Sequence, residues 1–246
     1  MNIGSGISIG GGITIANDIL GIVTTNLVLY YDPSQSASYP GTGTTVYDLS
    51  TSGLNGTMSN ITYTNPYFGF NGSTSQISRA DDPLIEPGSG NWTMEAWVNG
   101  SSFSTSAHVF LGKFNNGGAS SAVSYSMRVG SNASAYAQYG DGTGTYFNST
   151  AYTLSLNTWY QIVYVFSNGG TKNIQTYING ATIGTVTHTL ASLLNASNPL
   201  YIGSYNGGEY NQYWTGSIGA VRLYKAALTS GQVAQNFNAT RAVYGI

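Results

Sequence analysis

The chain has 246 residues, no cysteine and a formal net charge of −2, so a disulfide or thiolate–zinc framework is excluded, and the length suits one large sandwich or two small domains. Charged residues make up only 7%, against about 25% in typical domains. The seven Lys and Arg are scattered without a cluster, which argues against nucleic-acid binding through a basic footprint.

So few charges resist self-association weakly. That suits a protein built into an assembly, and equally a simple Gly/Ser/Thr-rich β domain. The start, MNIGSGISIG, lacks the basic region and continuous apolar core of a secretory signal. No apolar run reaches the length of a membrane span. Neither a membrane nor a nucleic acid is expected as a partner.

Residues 1–25 read as an arm. Ile3, Ile7, Ile9, Ile13 and Ile15 all fall on odd positions among Gly, Ser and Thr. This period of two predicts an extended segment with one isoleucine face, folded as a two-stranded ribbon about Gly10-Gly11. An isolated ribbon is marginal in water. The arm is therefore expected to dock on its own domain, a sister subunit or another protein, by strand addition; the alternative is a disordered tail.

A single domain is expected over 26–246. Leu27–Tyr31 reads as a buried strand closed by Asp32-Pro33. Short strands follow at Val46–Leu49 and at Phe68–Phe70, the latter ending in the Asn71-Gly72 turn. In Asn91–Val98, Trp92, Met94, Ala96 and Val98 share one face, and Thr93, Glu95 and Trp97 the other. Val109–Phe114 and Val123–Val129 continue the pattern. Trp159–Phe166 is apolar on both faces, as a central strand covered on both sides would be. Ile174–Ile178, Leu200–Gly203 and Ile218–Tyr224 complete the set. One helix is marked by the capping box Thr229-x-x-Gln232, with Leu228 and Val233 as a hydrophobic staple, over about Ser230–Asn238. Many short strands and one helix predict an all-β sandwich.

Several of these stretches resemble the laminin-G-like, concanavalin-A-like jelly rolls. Asp48-Leu49-Ser50 through Gly53-Leu54-Asn55-Gly56-Thr57 is similar to their opening, and NWTMEAWV to their central tryptophan strand. Trp159-Tyr160 with Tyr177-Ile178-Asn179-Gly180 resembles a hairpin of the family. Leu200–Gly203, Gly216–Ile218, Val221–Tyr224 and Ala227–Thr229 follow its closing pattern. The resemblance covers about 27–240. It implies two antiparallel sheets in a jelly roll with one short C-terminal helix, preceded here by the extended β arm. It also implies binding of carbohydrate or protein, often with calcium, while some relatives are glycoside hydrolases. The arm and the LVLYYDPSQSASYPGTGTT stretch together resemble virion structural proteins of tailed bacteriophages.

Glycoside hydrolysis needs two carboxylates flanking one bond. Hydrolytic relatives carry them along one strand face, but Trp97 and Gly100 stand where partners of Glu95 would lie. Asp81 and Asp82 sit beside Pro83. Catalytic residues are therefore not expected, and Glu95 reads as a sheet-surface acid paired with Thr, Tyr or a cation. His108 and His188 read as surface strand residues without metal or triad spacing. No cofactor is expected, with calcium as the alternative: Asp32, Asp48 and Asp141 lie near loops, where they can equally hydrogen-bond turn amides. The loop Tyr205–Trp214 is the expected ligand site. In it Tyr205, Tyr210, Tyr213 and Trp214 would stack on sugar rings, and Glu209 would bond hydroxyls.

The leading expectation is a non-enzymatic virion protein, assembled in the host cytoplasm as a homo-oligomer. It would decorate the capsid or sit on the tail, held to sister subunits or other virion proteins by its arm. The alternative is a lectin-type module that adheres to surface glycans.

Overall fold

A computed structural model describes residues 21–103, 108–115 and 122–246, together with the backbone of two short strands in the arm. Those strands, β1 (Ile7–Ile9) and β2 (Ile13–Ile15), pair antiparallel with Ile7 opposite Ile15, the ribbon that the isoleucine spacing predicts. Ile3 and the isoleucine side chains lie outside the described residues.

The sandwich begins with β3 (Leu27–Tyr31), β4 (Thr45–Val46), β5 (Gly56–Ser59) and β6 (Thr62–Thr64). Next come β7 (Tyr67–Asn71), β8 (Gln76–Arg79) and the long β9 (Trp92–Gly100). The middle of the chain supplies β10 (His108–Phe114), β11 (Val123–Val129), β12 (Ser134–Gly140), β13 (Tyr146–Asn148) and β14 (Tyr152–Thr153). Then follow β15 (Trp159–Ser167), β16 (Asn173–Ile178), β17 (Ala181–Thr187), β18 (Leu200–Ile202) and β19 (Thr215–Tyr224). Helix α1 (Ser230–Thr240) ends the fold with a one-turn extension, Arg241–Tyr244.

Among the described residues these strands form two antiparallel sheets. The nine-stranded sheet runs β13-β12-β11-β10-β18-β8-β5-β4, with β14 beside β12. The eight-stranded sheet runs β17-β16-β15-β9-β19-β7-β6, with β3 against β19. Consecutive strands thus often fall in different sheets, as a jelly roll requires. The main core lies between the sheets, where Trp92, Met94 and Val98 of β9 meet Phe110, Tyr125 and Met127 of the facing sheet.

A second core covers the outer face of the eight-stranded sheet. Trp97, Val163, Val165 and Tyr224 pack there beneath Leu228 and Val233 around α1. This explains why β15 is apolar on both faces. The Thr229 hydroxyl accepts from the Gln232 amide, and the Gln232 side chain accepts from the Thr229 amide, so the capping box forms. Val23 belongs to the same core, and its amide donates to Asn236 Oδ1 at 2.8 Å. Ile22 and Val23, within the stretch read as an arm, thus pack on this second core.

Candidate functional site

The odd-numbered face of β9 carries two different environments. Glu95 lies at its centre and is fully buried. Arg222 of β19 stands directly opposite in register and donates from Nη1 to Glu95 Oε1 at 2.6 Å. Gln161 Nε2 donates to the same oxygen at 2.9 Å, and Asn236 Nδ2 of α1 to Oε2 at 2.6 Å. Arg222 Nη2 reaches the Tyr30 hydroxyl, which donates to Asp32 Oδ2 at 2.7 Å. Burial works against the Arg222 charge, but the Glu95 carboxylate outweighs it and holds the guanidinium above its ordinary pKa. Glu95 is thus paired with a cation, as the sequence suggests. It is sealed under a helix, however, where a sheet-surface acid was expected.

Four residues further along the same face, the helix no longer covers the sheet. An open groove of about 400 Å³ lies across the ends of β6, β7, β9, β15 and β19. Asn99 and Ser217 face each other across β9 and β19 in its floor. Gly216 beside them has φ +134, and a Cβ there would meet the Asn99 carbonyl oxygen at 2.2 Å, so only glycine lets the two strands close up. Thr62 and Asn157 stand at the rim, and the half-buried rings of Tyr67 and Trp159 form a wall with centroids 5.5 Å apart. These rings end a continuous aromatic run. Phe237, Trp97, Tyr244 and Trp159 follow one another at 5.9, 4.3 and 4.7 Å.

The loop expected to hold ligand is divided by the structure. Trp214 is fully buried against Phe110 and Phe103, with ring centroids 5.3 and 5.9 Å away. Tyr205 is 3% exposed and packs on Phe114 at 4.0 Å. Neither ring offers a face to a sugar, because both are filling apolar contacts. Tyr210 is 55% exposed and meets Tyr205 edge-on. Glu209 accepts from Asn206 Nδ2 at 2.7 Å. Tyr213 is half-buried, and its carbonyl accepts from His108 Nδ1 at 2.9 Å. His108 and His188 are both buried, against the expectation of surface positions; His188 stacks on Phe166 at 4.3 Å, and burial pushes its pKa down.

The acids considered for calcium hold their own turns. Asp32 accepts from the Ser34 amide and hydroxyl, Asp48 from the amides of Tyr30, Ser50 and Leu54, and Asp141 from the Thr143 amide and hydroxyl. Among the described residues no three His, Cys, Asp or Glu side chains group as a metal site would require. No helix among them is long and apolar enough to cross a membrane.

The sequence profile described as the concanavalin A-like lectin/glucanases superfamily matches residues 71–234, which is most of the sandwich. The chain belongs to this superfamily. No curated protein sequence matches it. Among solved structures, the binding domain of Paraclostridial Mosquitocidal Protein 1 superposes with a TM-score of 0.68 at 16% identity, over 87% of this chain and 52% of that one. The binding domain of botulinum neurotoxin serotype G gives 0.66 at 17%, over 86% and 50%. Trypanosoma rangeli sialidase, in complex with sialic acid, gives 0.66 at 16%, over 90% and 34%. At these identities the likeness is one of fold. The chain spans about half the length of the toxin domains and a third of the sialidase.

The groove residues Tyr67, Asn99, Asn157, Trp159 and Ser217 were not singled out from sequence as a site. Strand parity carries the signal. Tyr67 and Gly69 alternate with the core residues Phe68 and Phe70, and Trp159 shares the odd face of β15.

Proposed function

We propose that this chain is a non-enzymatic carbohydrate-binding module whose ligand lies in the Tyr67–Trp159 groove. The observation that carries this reading is an aromatic wall beside a floor of amides and hydroxyls, open to solvent. Apolar sugar faces stack on such rings, while Asn and Ser both donate to and accept from hydroxyls. The superfamily's description as lectins and glucanases supports it. Against hydrolysis, Glu95 is occupied by Arg222, Gln161 and Asn236 under the helix, and no carboxylate among the described residues lines the groove. Tyr210, with Glu209 and Tyr213, provides a second contact surface on the loop.

The test is an oligosaccharide array followed by titration of Trp159→Ala, Tyr67→Ala and Tyr210→Ala, each checked for unchanged folding by circular dichroism. Loss of sugar binding in the first two variants is expected. Loss only in Tyr210→Ala would move the site to the loop.

A second reading fixes the same module to a bacteriophage particle, on capsid or tail, as a homo-oligomer held through its arm. The antiparallel pairing of β1 with β2 favours it, since a regular ribbon is ready for strand addition. Removal of residues 1–20 should then abolish particle binding, and normal incorporation of the truncated protein would sink this reading.

A further inference from the structure

We infer that the groove takes an uncharged glycan and refuses the acidic form of the same sugar. This rests on the reading of the groove as the carbohydrate site. Its polar groups, among them Thr62, Asn99, Asn157 and Ser217, are hydroxyls and carboxamides. Among the described residues, no Lys, Arg, Asp or Glu lines it.

Most of the described cations are held elsewhere. Arg79 pairs with Asp82, Lys113 with Asp81 and Glu86, and Arg222 with Glu95. Lys172 and Lys225 donate to the carbonyls of Leu190 and Pro83. The guanidinium nearest in kind on this face, that of Arg222, is fully buried and held by Glu95 and Tyr30.

A neutral sugar hydroxyl both donates and accepts, which matches carboxamides that do the same. A carboxylate only accepts. In this groove it would lose water against the ring wall, meet carbonyl oxygens and find no cation, a combination that disfavours burial of the charge. The net charge of −2 adds a weak repulsion. Discrimination therefore arises from an unpaired charge on the wrong ligand, with no extra attraction to the right one.

Tryptophan fluorescence reads the site directly. Trp92, Trp97 and Trp214 are fully buried, whereas Trp159 is half-exposed in the groove. The probes are pairs of oligosaccharides of identical linkage that differ only in a C6 hydroxymethyl or a C6 carboxylate. They are first screened on an array and then titrated at low and high salt. The neutral member should bind at least about tenfold more tightly, with an affinity that salt leaves unchanged, and its fluorescence response should vanish in Trp159→Phe. Thr62→Lys, at the exposed rim, should narrow the preference by improving binding of the acid alone.

Equal or tighter binding of the acidic member would overturn the inference while leaving the carbohydrate reading intact. So would an unchanged preference in Thr62→Lys, or a fluorescence response that survives in Trp159→Phe. Absence of binding by every sugar would overturn the carbohydrate reading itself and this inference with it.

Discussion

Glu95→Gln tests the claim that the central acid of β9 is structural. The substitution keeps the size of the side chain and removes its charge. Arg222 would then be a fully buried cation hydrogen-bonded only to neutral side chains, the new carboxamide oxygen and the Tyr30 hydroxyl, while the new amide nitrogen would face a donor, Asn236 Nδ2 or Gln161 Nε2. Removing one member of a buried ion pair typically costs about 3–5 kcal/mol. In a domain of this size each kcal/mol lowers the melting temperature by roughly 2–4 °C, so a fall of roughly 6–20 °C is expected. Urea denaturation of Glu95→Gln, Arg222→Met and the double variant measures the coupling. The double variant should recover most of the loss, because an apolar side chain replaces the stranded cation. A loss below about 1 kcal/mol in Glu95→Gln would refute the reasoning. Undiminished stability with lost sugar binding would instead make Glu95 part of a ligand site.

Three further outcomes follow from the same contacts. Burial pushes Glu86 from 4.5 up to about 7, with Lys113 at 2.7 Å pulling the other way. At low pH the carboxyl is protonated in folded and unfolded chains alike, and as pH rises towards 7 the unfolded chain ionises first, so this group's stabilisation is lost. His188, held below 6.5 by burial, has the opposite slope. Glu86→Gln should therefore make stability rise more steeply with pH across this range than in the native chain, and identical urea midpoint profiles would contradict it. Thr229→Ala removes the helix cap and should cost about 1 kcal/mol in thermal unfolding, with no loss taken as evidence against the capping box. Trp214→Ala should destabilise by about 3–5 kcal/mol, whereas Tyr210→Ala, at an exposed ring, should stay within about 0.5 kcal/mol of the native chain.

The sandwich was legible because strand parity and caps are local. The alternation in β9, the doubly apolar β15 and the box at Thr229 each reports its own environment. The groove was not, because it is assembled by strand order. Tyr67, Trp159 and Ser217 meet only because β15, β9, β19 and β7 are neighbours in one sheet, and nothing in a 150-residue separation announces that adjacency. The loop Tyr205–Trp214 illustrates the converse. Its composition is that of a binding loop, but composition does not reveal which rings turn inward. Trp214 enters the main core just before β19, and Tyr205 lies over Phe114 with the Arg128 guanidinium 5.7 Å from its ring. Pairing of Glu95 with a cation was legible in its strand position, yet its burial depends on a helix more than 130 residues away in sequence.

The outer face of the eight-stranded sheet joins these features. Where α1 covers it, the sheet carries a second core and the Glu95–Arg222–Asn236 hydrogen bonds, so β9, β15 and β19 are held from both sides. Where α1 stops, the same strands present Asn99, Trp159 and Ser217 to solvent. The aromatic run from Phe237 to Tyr67 crosses that boundary, with Tyr244 fixed by its hydroxyl accepting from the Ala220 amide at 2.8 Å. A groove built on strands that are already rigid needs little ordering when a ligand arrives, which keeps more of the contact energy as affinity. The helix and the Glu95 network therefore stiffen the floor of the groove from a distance.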